Sequence, residues 1–371
     1  MKEIVLRPLL HSFDNCRAFV EEFKVGRGDI VLTNEHIYKP YFGIMNLDAA
    51  VLYQERHGSG EPTDVMADQI LNEAAQYRYS RVIAIGGGTV LDIAKVLAVS
   101  SGERVDELYD RMADLKRKQS LIIIPTTCGT GSEVTNLAIL NRTRLGTKMG
   151  LVSEALYADH AILIPELLYG LPFGVFATSS LDALIHAVES SLSPKATPTT
   201  RLFSDRATEI IISGYKIIAA NGADAHKPML KDFLIASTYA GIAFGTAGVG
   251  AVHALSYPLG AAYHLPHGEV NYELFTGVLK SYMEIKQDGA IAEINALLCR
   301  ILDCRADLLY EELEKLLHCI LPKKPLRAYG VTQADLVMFA DSVIATQGRL
   351  MANNFVPLDR ERVLKIYQEL F

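Results

Sequence analysis

Between residues 29 and 168 the chain alternates short apolar runs with stretches of helical periodicity. DIVLTN, AAVLYQE, RVIAIGGG, SLIIIPTT and HAILIPEL read as strands, being rich in β-branched residues and ending abruptly at polar, Gly, Thr or Pro positions. The polar segment 63–79 and the segment opening at VLDIAK read as helices. Apolar strands alternating with helices predict a parallel sheet covered on both faces, with its ligand site at the carboxyl ends of the strands. The first part of the chain is therefore expected to be an α/β nucleotide-binding domain.

After Leu171-Pro172 the β-branched runs give way to helical periodicity. DALIHAVESSL, RLFSDRATEIIISGYKII, LKDFLIASTYAGIAF, AIAEINALLCRIL and ADLVMFADSVIATQ read as helices separated by Gly, Pro and Asn. A boundary near 168 is expected, with an α/β domain over 1–168 and an all-α domain over 169–371. The length of 371 residues agrees with two cores, and a cleft between two lobes is expected. Residues 233–268 carry no Asp, Glu, Lys or Arg, which is long enough to span a bilayer. Glycines at 241, 245, 248, 250 and 260, Pro258 and three histidines instead predict a buried helix that is then broken.

The mean hydropathy of +0.17 and a hydrophobic share of 50% place the chain among globular proteins rather than disordered ones. A net charge of -7 offers no general attraction to nucleic acid or to an anionic membrane, so the expected partner is a small molecule. The opening MKEIVLRPLLHSFDNC lacks the apolar core of a signal peptide. Cysteines 16, 128, 299, 304 and 319 form no paired framework, and a reduced cytoplasm is expected.

Strand RVIAI runs into Gly86, Gly87, Gly88 and Thr89, and a helix carrying Asp92 and Lys95 follows at once. Such a junction brings free N–H groups and a positive dipole end to a pyrophosphate. Thr126, Thr127 and Thr130 follow the next buried strand and add hydroxyls, although a Thr-rich turn capping the next helix explains them equally well. Neither loop is the G-x-G-x-x-G fingerprint. Cys128, between them, has no nearby base and reads as a passive small residue.

Asp182 and His186 stand at i and i+4, one turn apart on a helix, a spacing that suits either an ion pair or a shared metal. His253, His264 and His267 fall within fifteen otherwise uncharged residues. Burying three imidazoles there is costly unless they bind something, and one carboxylate with several imidazoles suits Fe(II) or Zn(II).

In order and approximate spacing, GGGTVLDIAK, PTTCGTGSEVT, SSLDALIHAVE and VHALSYPLGAAYHLPHG resemble the signature segments of the iron-containing alcohol dehydrogenase family. The resemblance covers essentially the whole chain. It implies the architecture shared with dehydroquinate synthases, an α/β dinucleotide domain followed by a helical metal-binding domain. It further implies metal ligation by Asp182, His186, His253 and His267, and cofactor contacts from Gly86, Gly87, Gly88, Thr89, Asp92, Thr126, Thr127 and Thr130. Lys148 occupies a region where the family often has a cofactor-side lysine.

Two positions depart from the family pattern. Tyr257 stands where members often carry a histidine for proton transfer, leaving Tyr257 or His264 to take that role. Asn34 replaces an Asp that repels the 2′-phosphate of NADP, so NAD is expected and NADP is not excluded. TNEHIYKP, VGAVHALSYPLGAAYHLPHGEVNY and NNFVP are most similar to members that interconvert 4-hydroxybutyrate and succinate semialdehyde. Such a substrate needs a cation for its carboxylate, and Arg349 is one candidate.

The resemblance implies hydride transfer between a primary alcohol and NAD, assisted by the metal, in a homodimer or larger homo-oligomer. A neutral alcohol or diol, such as 1,3-propanediol or butanol, is the alternative substrate class. A lyase that retains its NAD and a non-catalytic dinucleotide sensor are the more distant readings.

Overall fold

Each of the five apolar runs is a strand of one parallel sheet in the computed structural model, which describes residues 2–371. They are β2 (Asp29–Thr33), β3 (Ala50–Tyr53), β4 (Arg81–Gly86), β5 (Ser120–Pro125) and β8 (His160–Leu163), joined at one edge by β1 (Leu9–Ser12). The spatial order is β1-β8-β5-β4-β2-β3. Sequence reading passes over β1 because only four residues of it pair, and two of its leucines face outward. A hairpin of β6 (Leu137–Arg142) and β7 (Thr147–Val152) stands apart from the sheet, with Asn141 opposite Lys148.

The helices of this unit are α1 (Cys16–Phe23), α2 (Glu35–Tyr41), α3 (Asp64–Ala74), α4 (Gly88–Leu97) and α5 (Val105–Asp110). Thr63 caps α3 by accepting from the Met66 N–H. Ile30, Leu32, Val82, Ala84, Leu121 and Ile123 line one face of the sheet and share a core with Ile70, Leu91 and Ala94. That burial explains why the strands are apolar without alternation.

The chain leaves β2 towards the β3 edge and then returns to place β4 on the other side of β2. The order of strands therefore reverses between β2 and β4, and their carboxyl ends flank the crevice where open α/β sheets bind ligands.

The second unit is helical: α6 (Phe173–Leu192), α7 (Pro198–Asn221), α8 (Leu230–Ala247), α9 (Ala251–Tyr263), α10 (His267–Ile285), α11 (Ala290–Leu302), α12 (Leu309–Ile320), α13 (Gln333–Thr346), α14 (Gly348–Met351) and α15 (Arg360–Glu369). The units comprise Leu6–Leu171 and Pro172–Phe371, three residues beyond the expected boundary. Residues 2–5 belong to the helical unit. There the Val5 N–H donates to Thr246 Oγ1 at 3.0 Å, and the Thr197 hydroxyl donates to the Glu3 carbonyl at 2.7 Å.

No single helix among the described residues is long and apolar enough to cross a membrane. The uncharged stretch is instead α8 and α9, set at 103° across a break at Gly248, whose φ of +78° few side-chain-bearing residues adopt. Asn353, in NNFVP, donates to the Val249 carbonyl at 3.2 Å and holds this break.

Candidate active site

In the α/β unit, α4 begins at the end of β4 with Gly87 as its N-cap, and no side chain satisfies the first amides. These donors and the helix dipole are available to an anion. Thr127 and Thr130, following β5, lie against Gly87 and Gly88, and the Thr126 N–H donates to the Gly86 carbonyl at 3.0 Å. The two loops singled out from the sequence are thus one surface. Thr89 donates its hydroxyl to the Gly60 carbonyl, and Lys148 pairs with Glu61 in the same loop before α3.

Asp92 faces inward. It accepts from the Ser132 hydroxyl at 2.7 Å and the Ile139 N–H at 2.8 Å, and lies 3.9 Å from the fully buried Lys95. Lys95 donates to the Leu137 carbonyl and to Thr135. Burial pushes the Lys95 ammonium down to about 8, against the pull of Asp92 and Glu133, and pushes the Asp92 carboxyl up. The pair ties α4 to the second loop and to the hairpin, so its role here is to position the loops. Asp92→Ala would leave a buried ammonium and two donors unmatched. A loss of about 3–5 kcal/mol is expected, read as a lower calorimetric melting temperature with weaker dinucleotide binding. Cys128 is fully buried, and burial followed by Glu133 pushes its thiol far above the ordinary range, which removes it as a nucleophile.

The helical unit gathers the other candidates. Asp182 and His186 lie on α6, His253 on α9 and His267 at the start of α10. Ligand atoms of Asp182, His186 and His253 lie within 4.8 Å of one another. His186 Nδ1 is 3.8 Å from Asp182 Oδ2, while His253 Nε2 and His267 Nε2 are 3.7 and 3.8 Å from Asp182 Oδ1. Donors about 2.1 Å from a common tetrahedral centre stand about 3.4 Å apart, so this cluster fits a small divalent ion with slight contraction.

Burial works to raise the Asp182 carboxyl, but His186, His267, His253 and a hydrogen bond from Asn271 together bring it below its ordinary range. Phe244 stacks on His186 at 4.3 Å and His186 on His253 at 4.6 Å, fixing both rings. The His267 side chain is 29% exposed against 7% or less for Asp182, His186 and His253, so His267 forms the open side of the cluster.

Two residues of this site were missed from the sequence. Glu189, buried on α6, accepts from His253 Nδ1 at 2.5 Å and from the Val252 N–H at 2.7 Å. This leaves Nε2 of His253 to face Asp182 in the cluster. The signal was present, since Asp182, His186 and Glu189 stand at i, i+4 and i+7 on one helical face. Asn271, one turn after His267, donates from Nδ2 to Asp182 Oδ1 at 2.8 Å and lies 3.2 and 3.1 Å from Nε2 of His253 and His267. Its buried Oδ1 has no hydrogen-bond partner, and turning the amide over would present that oxygen to a cation. Glu189→Gln is expected to weaken metal binding by about 10–100-fold, measured by competition with a chromogenic chelator.

Tyr257 is buried on α9 with its ring 6.0 Å from that of His267. His264 ends α9 in the left-handed conformation at φ +52° and is exposed, outside the ligand cluster. Arg349 is exposed on α14.

Residues 14–165 match the model of the iron-containing alcohol dehydrogenases, and residues 176–371 match that of the Fe-containing alcohol dehydrogenase family, C-terminal. The chain belongs to the iron-containing alcohol dehydrogenase family. Within it, the chain is 47% identical over 371 residues, the full length of both proteins, to the 4-hydroxybutyrate dehydrogenase of Clostridium kluyveri. It is 34% identical to long-chain-alcohol dehydrogenase 1 of Geobacillus thermodenitrificans, covering 99% of this chain and 96% of that one. The crystal structure of sulfoacetaldehyde reductase from Bifidobacterium kashiwanohense in complex with NAD+ superposes with a TM-score of 0.84 at 21% identity, covering 100% and 98% of the two chains. As an iron-containing alcohol dehydrogenase, the chain is an oxidoreductase with a His/Asp metal site, built on a parallel α/β sheet and a helical unit.

Proposed function

We propose that this dehydrogenase interconverts 4-hydroxybutyrate and succinate semialdehyde, using NAD and Fe(II), or Zn(II) in its place. The observation that carries the reading is the 47% identity over the whole of both chains to the Clostridium kluyveri enzyme, together with the metal-fitting cluster.

Asp182, His186, His253 and His267 would hold the ion, Glu189 keeping His253 in the ligating tautomer and Asn271 closing the floor of the site. A divalent ion held there would supply a Lewis acid for the substrate oxygen, and bound NAD would supply the hydride acceptor. The first amides of α4 and the Thr126–Thr130 loop bind the pyrophosphate. Tyr257, beside His267, is the nearer of the two candidates for moving the hydroxyl proton, and the exposed His264 the more remote.

The test is to purify the enzyme without oxygen, load Fe(II) or Zn(II) separately and follow reduced-cofactor absorbance with 4-hydroxybutyrate, 1,3-propanediol or butanol. Metal-dependent NADH formation with 4-hydroxybutyrate far above the neutral alcohols is the expected result. Preference for a neutral alcohol would overturn the substrate while leaving the metal site in place.

A further inference from the structure

We propose that Glu55, at the end of β3, is the residue that makes this enzyme select NAD over NADP, acting through the position held by Asn34 at the end of β2. The inference rests on the dinucleotide reading above.

In doubly wound sheets the pyrophosphate sits at the glycine loop, and the adenosine ribose lies towards the next strand outward, where an acidic side chain takes its 2′-hydroxyl. Here the glycine loop follows β4 and the next strand outward is β2, with Thr33 registered against Ile85. The residue at that end is Asn34, which carries no charge.

The charge stands one strand further out. Thr33 is also registered against Tyr53 of β3, and Glu55 follows two residues later. Asn34 donates from Nδ2 to Glu55 Oε2 at 2.9 Å and to Gln54 Oε1 at 3.1 Å, and the Glu35 N–H donates to Glu55 Oε1 at 2.6 Å. Burial opposes the charge on Glu55, but the bonds from the Glu35 N–H, its own N–H and Asn34, with His36 nearby, together outweigh it and hold the carboxyl below its ordinary range. It is therefore an anion at neutral pH, clamped beside the ribose position.

Two neighbouring cations are engaged elsewhere. Lys39 pairs with Glu35, and the Arg56 guanidinium lies over the Tyr53 ring at 4.7 Å. A 2′-phosphate entering beside Asn34 meets a fixed carboxylate, whereas a 2′-hydroxyl can donate to it. An acid lost at one strand end is thus replaced by one at the next, with Asn34 as the neutral spacer.

The test uses the full-length enzyme and needs neither metal nor substrate for its first readout. NADH and NADPH are titrated by fluorescence against wild type, Glu55→Gln and Asn34→Ala, and kcat/KM is then compared with NAD and NADP. Wild type is expected to bind NADH about a hundredfold more tightly than NADPH, since like charges brought together are strongly disfavoured. Glu55→Gln, which keeps the shape and an acceptor oxygen, should cut that ratio at least tenfold, mainly through a lower KM for NADP. Asn34→Ala should keep most of it, because the charge remains.

Equal binding of the two dinucleotides by wild type, or an unchanged ratio in Glu55→Gln, would overturn the role of Glu55 and leave the dinucleotide reading standing. Loss of discrimination in Asn34→Ala alone would move the role to Asn34 and overturn the inference equally. Failure of wild type to bind either dinucleotide would remove the reading beneath it as well.

Discussion

His267→Ala is expected to lower alcohol-dependent NAD reduction on the order of a thousandfold or more. A Lewis acid contributes several kcal/mol at the transition state, and about 1.4 kcal/mol is a factor of ten in rate. His267 is the outermost of the four candidate ligands, set at the first turn of α10 and held 3.8 Å from Asp182, so removing it opens the site without emptying the buried core. Bound metal per chain should fall, and the stabilisation that added metal gives to the melting temperature should shrink with it. Dinucleotide titration should be almost unchanged, because the glycine and threonine loops belong to the other unit. Near-normal metal content and rate in the variant would show that His267 is not a ligand.

Gly268→Ala should damage the same site although it deletes nothing. A Cβ at this position would lie 2.2 Å from the Thr178 carbonyl oxygen and 3.3 Å from Asp182 Cβ. Two backbones meet there, α10 on α6, and no flexible side chain is available to yield. Overpacking of this kind costs typically about 1–3 kcal/mol and occasionally more. For a unit of this size, that predicts a melting temperature lower by roughly 2–12 °C. Separation of α10 from α6 also carries His267 and Asn271 away from Asp182, so metal affinity should drop at least about tenfold, read by equilibrium dialysis. An unaltered melting temperature with unaltered metal binding would mean that the helices can part without cost, and that the close approach does not set the site.

These two expectations separate chemistry from scaffolding within one turn of helix. His267 supplies an electron pair and Gly268 supplies room. Glu189 and Asn271 act between these extremes. They touch the ligands, orient them and satisfy them, and neither has to meet the substrate to matter.

Much of this was legible along the chain. The parallel strands announce themselves because burial on both faces demands unbroken apolar runs, and glycine at a strand-to-helix junction points to an anion because only a bare backbone can approach one closely. Asp182 with His186, and His253 with His267, stand out because buried polar side chains in an apolar tract need a partner. The ordered motifs also identified the family.

Other features depend on elements far apart in sequence. The edge strand β1 depends on its pairing with β8, some 150 residues away, since its own leucines are half exposed. The attachment of the first residues to the helical unit depends on single hydrogen bonds to Thr197 and Thr246 that no local pattern encodes. Asp92 reads as a cofactor contact by its motif, yet folding turns it towards Lys95, Ser132 and Ile139. Asn34 reads as a missing charge until β3 brings Glu55 to within 2.9 Å of it. Residue type and local spacing are properties of a segment, so the sequence by itself determined most of the elements, the family and the candidate ligands. Which buried group faces which, and which charge stands beside which loop, follow from how distant segments pack, and those only the tertiary structure decided.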